Sequence, residues 1–199
     1  MILIGASGHA KVIIDILRLN NIQLECLVDA KPEIKELLGV PVQYEGAFNF
    51  LGQDAVISIG SNKIRKELAE KYALNYIKAI HPSTILDTSV EVGHGTVVMA
   101  SATINSSTII GTHCIINTSS SIDHDCLLGN FVHISPNATL CGGVQIGEGT
   151  HIGAGATIIP NITIGKWAVI GAGAVVISDI PDFAVVVGNP GRIIKYNNG

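Results

Sequence analysis

The sequence predicts a two-part chain: a small α/β unit over residues 1–78, followed by a three-sided parallel β-coil over residues 79–199. Three observations carry this. An aliphatic residue recurs every sixth position without a break in phase from Ile80 to Val176. The first residues read as strand, glycine loop, helix and strand. Charge is scarce, at 14% of a 199-residue chain that is 47% hydrophobic, whereas about a quarter of residues are charged in an ordinary soluble domain.

In the first unit Ile2-Leu3-Ile4 is an apolar strand, Gly5-Ala6-Ser7-Gly8-His9 a tight loop, and Ala10 to Leu19 a helix with Val12, Ile13, Ile16 and Leu17 on one face. Leu24 to Val28 is a second strand, ending at Asp29. Ala55 to Ile59 is a third, followed by the loop Gly60-Ser61-Asn62 and a helix from Lys63 to Tyr72. Strand, glycine loop, helix and a strand with an acid at its end form a Rossmann-like nucleotide-binding half. The loop is not GxGxxG, since Ser7 and Ala10 stand at its second and third glycine positions, which argues against a nicotinamide cofactor. It could present backbone N–H groups at a helix start to a phosphate, or be a plain strand-to-helix turn. Asp29 could bond a ribose hydroxyl or simply end its strand.

In the second unit a mostly small residue lies four positions after each aliphatic one, as at Thr96, Ala102, Ala138, Ala156 and Ala174. Both point inward, where a narrow prism has room for one large and one small side chain. Gly or Asn at the corners (Gly95, Asn137, Gly143, Asn161) tolerates positive φ. Three hexads close one turn, so residues eighteen apart stack at the ~4.8 Å strand spacing, and about five turns give a prism roughly 25 Å long. Such repetition outranks other fold signals. From Ile80 to Val176 the only charged residues are Asp87, Glu91, Asp123, Asp125, Glu148 and Lys166. So bare a surface implies that neighbouring subunits cover it, and three prisms side by side are the natural closed arrangement.

Several classes are excluded. No run approaches the ~18 apolar residues of a spanning helix, so no membrane insertion is expected. Net charge is −4 with no basic run, so nucleic acid is not an expected partner. Met1 leads into Ile2-Leu3-Ile4-Gly5 without a basic segment, and Cys26, Cys114, Cys126 and Cys141 form no CxxC pair. A reducing cytoplasm is the expected location. An ice-binding prism would show a flat threonine ladder, and the outer positions here are too mixed.

Asp123-His124-Asp125 is the sharpest candidate for chemistry. Ile122 and Cys126 point inward, so His124 stands on an outer corner. There it could take a proton from an attacking amine or hydroxyl, with a carboxylate orienting its other nitrogen; a solvated polar corner is the bland alternative. His133 and His151 are eighteen apart and should stack, as an outer ladder or, for His133, as a ligand contact. Zinc carbonic anhydrases share this kind of prism but use a His pair five residues apart plus a third His. No two of His81, His94, His113, His124, His133 and His151 are so spaced, and no metal is expected. The exit Gly188-Asn189-Pro190-Gly191-Arg192 breaks the repeat, and its Arg could pair with a phosphate or belong to a simple exit turn.

The hexad run, Asn117-Thr118 followed by Ile122-Asp123-His124-Asp125-Cys126, the Gly-Asn-Pro-Gly-Arg exit and the leading Gly-Ala-Ser-Gly-His together resemble the hexapeptide-repeat sugar O-/N-acetyltransferases related to PglD and NeuD, over essentially the whole chain. The resemblance implies a left-handed parallel β-helix, a homotrimer, and acetyl-CoA as co-substrate in the groove between two prisms. It implies His124 as general base, supported by Asp125 where relatives often carry Glu. His133 matches a position contacting acetyl-CoA near the thioester, and Ala154 and Ala172 match positions bordering the pantetheine arm. Arg192 falls at the exit, where Gly191 stands in place of the usual Ala. Ser7, Gly8, His9, Asp29 and Gly60 match the nucleotide-sugar site. The implied reaction is N-acetylation of a nucleotide-linked, in the first place UDP-linked, 4-amino-4,6-dideoxy sugar for a bacterial surface glycan or glycoprotein. O-acetylation of sialic acid or a related sugar is the alternative, and GDP-linked amino sugars remain open.

Overall fold

The computed structural model describes residues 1–197. The amino-terminal unit is a six-stranded sheet of order β3-β4-β2-β1-β5-β6. Its strands are β1 (Ile2–Ile4), β2 (Cys26–Asp29), β3 (Glu36–Leu37), β4 (Val40–Tyr44), β5 (Asp54–Ile57) and β6 (Asn75–Tyr76). All neighbours are parallel except β3 and β4. Helix α1 (Gly8–Leu19) follows β1, and α2 (Asn62–Lys71) follows β5. The helices begin one or two residues before the apolar periodicity suggests, because first-turn residues need only helical backbone and not an apolar side chain. The sequence reading lacked β3, β4 and β6. Two of these are two-residue edge strands, and β4 (VPVQY) carries a Pro that masks its alternation.

β1 is wholly buried because it lies between β2 and β5 with a helix layer on its face: Ile2, Leu3 and Ile4 are at most 3% exposed. The chain leaves β1 toward β2 on one side and β5 on the other. The loops after β1 and β5 therefore meet at the topological switch point, where open α/β sheets bind ligands.

From Ala79 the chain is a left-handed parallel β-helix of seventeen two-residue strands, β7 (Ala79–Ile80) to β23 (Val175–Val176). Each pairs in parallel with the strand eighteen residues away, as in Val98↔Ile116, Ile122↔Leu140 and Leu128↔Ile146. The result is three faces. The first face carries the ladder Ile115–His133–His151–Val169 outward, the second Thr103–Ser121–Thr139–Thr157, and the third Ile109–Leu127–Gln145–Thr163. The inward aliphatic and small residues form one continuous core, in which Ile104, Ile122, Ala138, Ile152 and Ala156 are fully buried.

From Gly95 to Gly173 each corner has one residue at positive φ, and the positions are not confined to Gly and Asn: Ser101, His113, Asp125, Phe131 and Trp167 also adopt φ of 54 to 59°. The repeat imposes this conformation, and packing on the core outweighs the local preference. A terminal hairpin of β24 (Ala184–Val187) and β25 (Arg192–Tyr196) extends the first face, β24 parallel to the coil and β25 antiparallel to β24. Among the described residues no helix is long and apolar enough to cross a membrane.

Candidate functional site

His124 and Asp125 occupy the corner between Ser121–Ile122 on the second face and Leu127–Leu128 on the third. Asp125 is the corner residue, at φ 59°. That left-handed turn folds its short side chain back on its neighbour, so Asp125 Oδ2 lies 2.7 Å from His124 Nδ1. Nδ1 then carries the proton and donates to the carboxylate, and Nε2 is left as a free acceptor. Asp123 Oδ1 accepts from the His124 backbone N–H at 2.8 Å and from Asn105 Nδ2 at 2.9 Å, which ties the corner to the turn before it. Hydrogen bonding to Asp125, reinforced by the Asp123 charge, raises the His124 pKa above the ordinary imidazole value. The ring lies over the next turn at Gly142: a Cβ there would stand 2.6 Å from His124 Cε1 and 2.8 Å from Nε2. An open concavity of about 350 Å³ lies beside it, bounded by Cys141, Pro160 and Asn161.

The switch-point residues gather on the opposite side of the coil. Ser7 caps α1 with no side-chain bond, and Gly8 opens the helix; both are exposed. His9 lies within the first helical turn rather than in the loop, with Nε2 buried and unpartnered. Gly60 is exposed at the end of the loop after β5. Gly5, at φ +107°, has no room for a side chain, since a Cβ would meet Ile59 Cδ1 at 2.4 Å. The two loops are stitched by Ser58 Oγ, which donates toward Ile4 O (3.0 Å) and Gly5 O (2.7 Å). Asp29 both ends its strand and anchors the glycine loop: Oδ2 accepts from Ala6 N at 2.9 Å and Oδ1 from Lys31 N at 2.8 Å.

His133 stands on the first face under these loops, its ring stacked on His151 with centroids 4.6 Å apart. Its Nε2 lies 3.2 Å from Asn117 Nδ2, and Ser135 Oγ lies 2.7 Å from His151 Nε2. Burial, then the neighbouring His151 and Arg65, lowers the His133 pKa to about 3; burial and Arg65 lower His9 to about 4. Both rings are neutral at pH 7. Ala154 and Ala172 are exposed one turn apart on the edge between the first and second faces. β25 sets Arg192 opposite Val187, exposed, with its guanidinium donating to Gly191 O at 2.9 Å.

The structure thus brings Ser7, Gly8, His9, Asp29, Gly60 and His133 together, and aligns Ala154 with Ala172. It sets the His124–Asp125 corner apart from both. The sequence reading missed Ser58, Asn62, Arg65 and Gly142. Arg65 is buried within a helix that also carries the exposed Lys63 and Lys71 and the half-buried Lys66, and composition alone does not separate it from those cations.

Comparison with known proteins accounts for both halves. Residues 1–72 match the family described as PglD N-terminal domain, and residues 125–160 and 143–178 match bacterial transferase hexapeptide repeats. A variant of perosamine N-acetyltransferase from Caulobacter crescentus, solved with CoA and GDP-perosamine, is 38% identical, covers 98% of this chain and 96% of its own, and superposes with a TM-score of 0.91. The chain belongs to the PglD-like sugar N-acetyltransferases. The acetyltransferase domain of PglB from Neisseria gonorrhoeae FA1090, solved with acetyl coenzyme A, is also similar, 34% identical over 97% of this chain and 98% of its own, with a TM-score of 0.90. UDP-N-acetylbacillosamine N-acetyltransferase of Bacillus subtilis (strain 168) is 41% identical over 108 residues, 49% of this chain and half the length of that relative.

Proposed function

We propose that this protein is an acetyl-CoA-dependent N-acetyltransferase acting on the 4-amino group of a UDP- or GDP-linked 4-amino-4,6-dideoxy sugar, in the synthesis of a bacterial surface glycan or glycoprotein. The observation that carries the reading is an imidazole with Nδ1 bound to a carboxylate and Nε2 free, on the coil of a chain that aligns end to end with an enzyme holding CoA and a nucleotide amino sugar.

His124 Nε2 accepts a proton from the sugar amine as its nitrogen bonds the acetyl carbon, and Asp125 stabilises the imidazolium that results. The carbon–sulfur bond breaks, the imidazolium returns its proton to the leaving sulfur, and CoA leaves as the thiol with His124 restored as base. The thioester is already activated, so positioning and proton removal suffice. His133, neutral and beneath the switch-point loops, serves as a contact near the thioester. Ala154, Ala172 and Arg192 line a path for the pantetheine arm and a phosphate. Ser7, Gly8, His9, Asp29 and Gly60 form the nucleotide-sugar half-site at a helix start.

The geometry also supports a homotrimer. His124 stands on the edge opposite the face that carries His133 and the loops. A triangular side of six residues at ~3.3 Å each, less the corner, puts roughly 13 Å between that face and the opposite edge. One chain's base does not reach its own nucleotide site, whereas a neighbour's edge can. The third face is suited to cover by another subunit, since its outward Ile109 and Leu127 are 45% and 43% exposed. Sedimentation should give about three chain masses.

The test is thiol release from acetyl-CoA with a panel of UDP- and GDP-linked 4-amino sugars and free sialic acid. Turnover with a nucleotide amino sugar is expected. Activity on sialic acid alone would install O-acetylation instead, and silence throughout would overturn the reading.

A further inference from the structure

Among the described residues Arg65 is the largest fully buried side chain, 1% exposed, and none of them offers it a carboxylate partner. Its hydrogen bonds go to carbonyl or amide oxygens on both structural units. Nε donates to His113 O at 2.7 Å and Nη2 to Phe131 O at 3.0 Å, both on corners of the coil. Nη1 donates to Ile59 O at 3.1 Å and Gly60 O at 3.3 Å, in the loop after β5, and Nη2 also reaches Asn62 Oδ1 at 2.8 Å. Asn62 Nδ2 in turn donates to Gly149 O at 2.9 Å, one turn further along the same edge. Burying an unpaired cation is costly, and a guanidinium is retained at such a site when its planar fork does something an apolar side chain does not.

We infer that Arg65 is a positioning residue for the nucleotide-sugar half-site: it clamps the Ile59–Asn62 loop to two successive corners of the coil and so fixes that loop over His133. The inference rests on the proposed nucleotide-sugar reading. Arg65 touches no substrate; it acts through Gly60. Its fork spans two units at once, so the nucleotide loop is held relative to the coil rather than merely within its own sheet. The fixed loop is preorganised, and binding does not have to order it. The edge bearing Ala154, Ala172 and Arg192 receives no bond from this clamp, so along that edge the acetyl-CoA path is independent of it, and only the His133 contact lies under the clamped loop.

The experiment measures binding of UDP and GDP by calorimetry, and KM for both substrates, in wild type, Arg65→Lys, Arg65→Met and the milder Asn62→Ala. Lysine has three donors on a point charge and does not span the fork. Both Arg65 variants should therefore weaken nucleotide binding by about tenfold or more, and Asn62→Ala by less in the same direction. KM for acetyl-CoA should stay within about twofold. Hydrogen exchange should rise at residues 58–62 and not along the coil. Equal loss of both substrates in step with melting temperature would mark Arg65 as merely structural, and unchanged nucleotide binding in folded Arg65→Lys or Asn62→Ala would overturn the clamp. If the wild type itself binds neither nucleotide, the functional reading fails as well, and that outcome is recognisable before any variant is compared.

Discussion

Acidification from pH 6.5 to 5.5 should destabilise this protein by roughly 3 kcal/mol, before any carboxylate titrates. Burial, with help from Arg65 in each case, holds His9 and His113 at about 4 and His133 at about 3. All three are neutral in the folded chain across that interval. In the unfolded chain each returns to an ordinary value near 6.5 and takes up a proton, so unfolding binds protons and stability falls with pH. For one histidine the loss between pH 6.5 and 5.5 is about 1 kcal/mol, hence about 3 kcal/mol for three. His124 works the other way. Its raised value contributes stability that is fully present below the unfolded pKa and is lost as pH rises through the folded one, so it offsets part of the loss. The lowered Asp87 and Asp123 contribute only below about pH 4.5, outside the window. The assay is urea unfolding at fixed protein concentration at the two pH values. His113→Asn keeps a residue tolerant of the 54° corner and should remove about a third of the pH dependence, even though it lowers stability at both values. A stability curve flat between pH 6.5 and 5.5 would refute the neutral buried imidazoles on which the electrostatics of the nucleotide face rest.

His124→Ala should lower kcat by roughly 10²-fold or more with the assembly intact, by sedimentation and circular dichroism; near wild-type turnover would remove its role as base. Asp125→Asn replaces the carboxylate that raises His124 with a neutral amide acceptor, so the acidic limb of the kcat/KM profile should move to lower pH while the plateau falls; an unmoved limb would mean that the 2.7 Å pair does not set the base. Gly5→Ala places a Cβ 2.4 Å from Ile59 Cδ1 at a φ of +107° and should cost about 2 kcal/mol in urea unfolding, by strain of the kind that left-handed non-glycine residues carry. A neutral Gly5→Ala would show that the loops after β1 and β5 are loosely apposed.

The coil was legible because it is a linear code. Each hexad repeats one packing problem, so seventeen aliphatic positions in unbroken phase define the three faces and the register without any long-range knowledge. The glycine loop and the strands around it were legible for the same local reason. The clamp was not, since Arg65 meets His113 and Phe131, 48 and 66 residues away, and nothing in a Lys-rich helix marks which cation turns inward. The seat of His124 on Gly142 was equally hidden. Gly142 is two positions past the aliphatic residue, on the corner one turn after His124, and it matters because the His124 ring occupies the place of its missing side chain. Asp29 was read as a strand end or a ribose contact, and its bond to Ala6 depends on the Gly5 backbone conformation, which only the folded sheet sets.

The corner chemistry follows from the coil itself. In a strand, adjacent side chains point to opposite faces, so neighbouring residues cannot form a hydrogen-bonded dyad. The hexad corner removes that restriction by forcing one residue per hexad into the left-handed region, and Asp is among the few side chains that accept it readily. Asp125 can therefore orient His124 from the next position in the chain. The larger carboxylate expected from relatives would have to bend further to reach the same Nδ1. The same corner conformation at Phe131 and His113 turns their carbonyls toward Arg65 instead. One repeated backbone device thus presents a carboxylate-bound imidazole on one edge of the prism and a row of backbone acceptors on another. On the proposed reading, the two edges act on one substrate when a second copy brings its His124 to the first copy's nucleotide-sugar half-site.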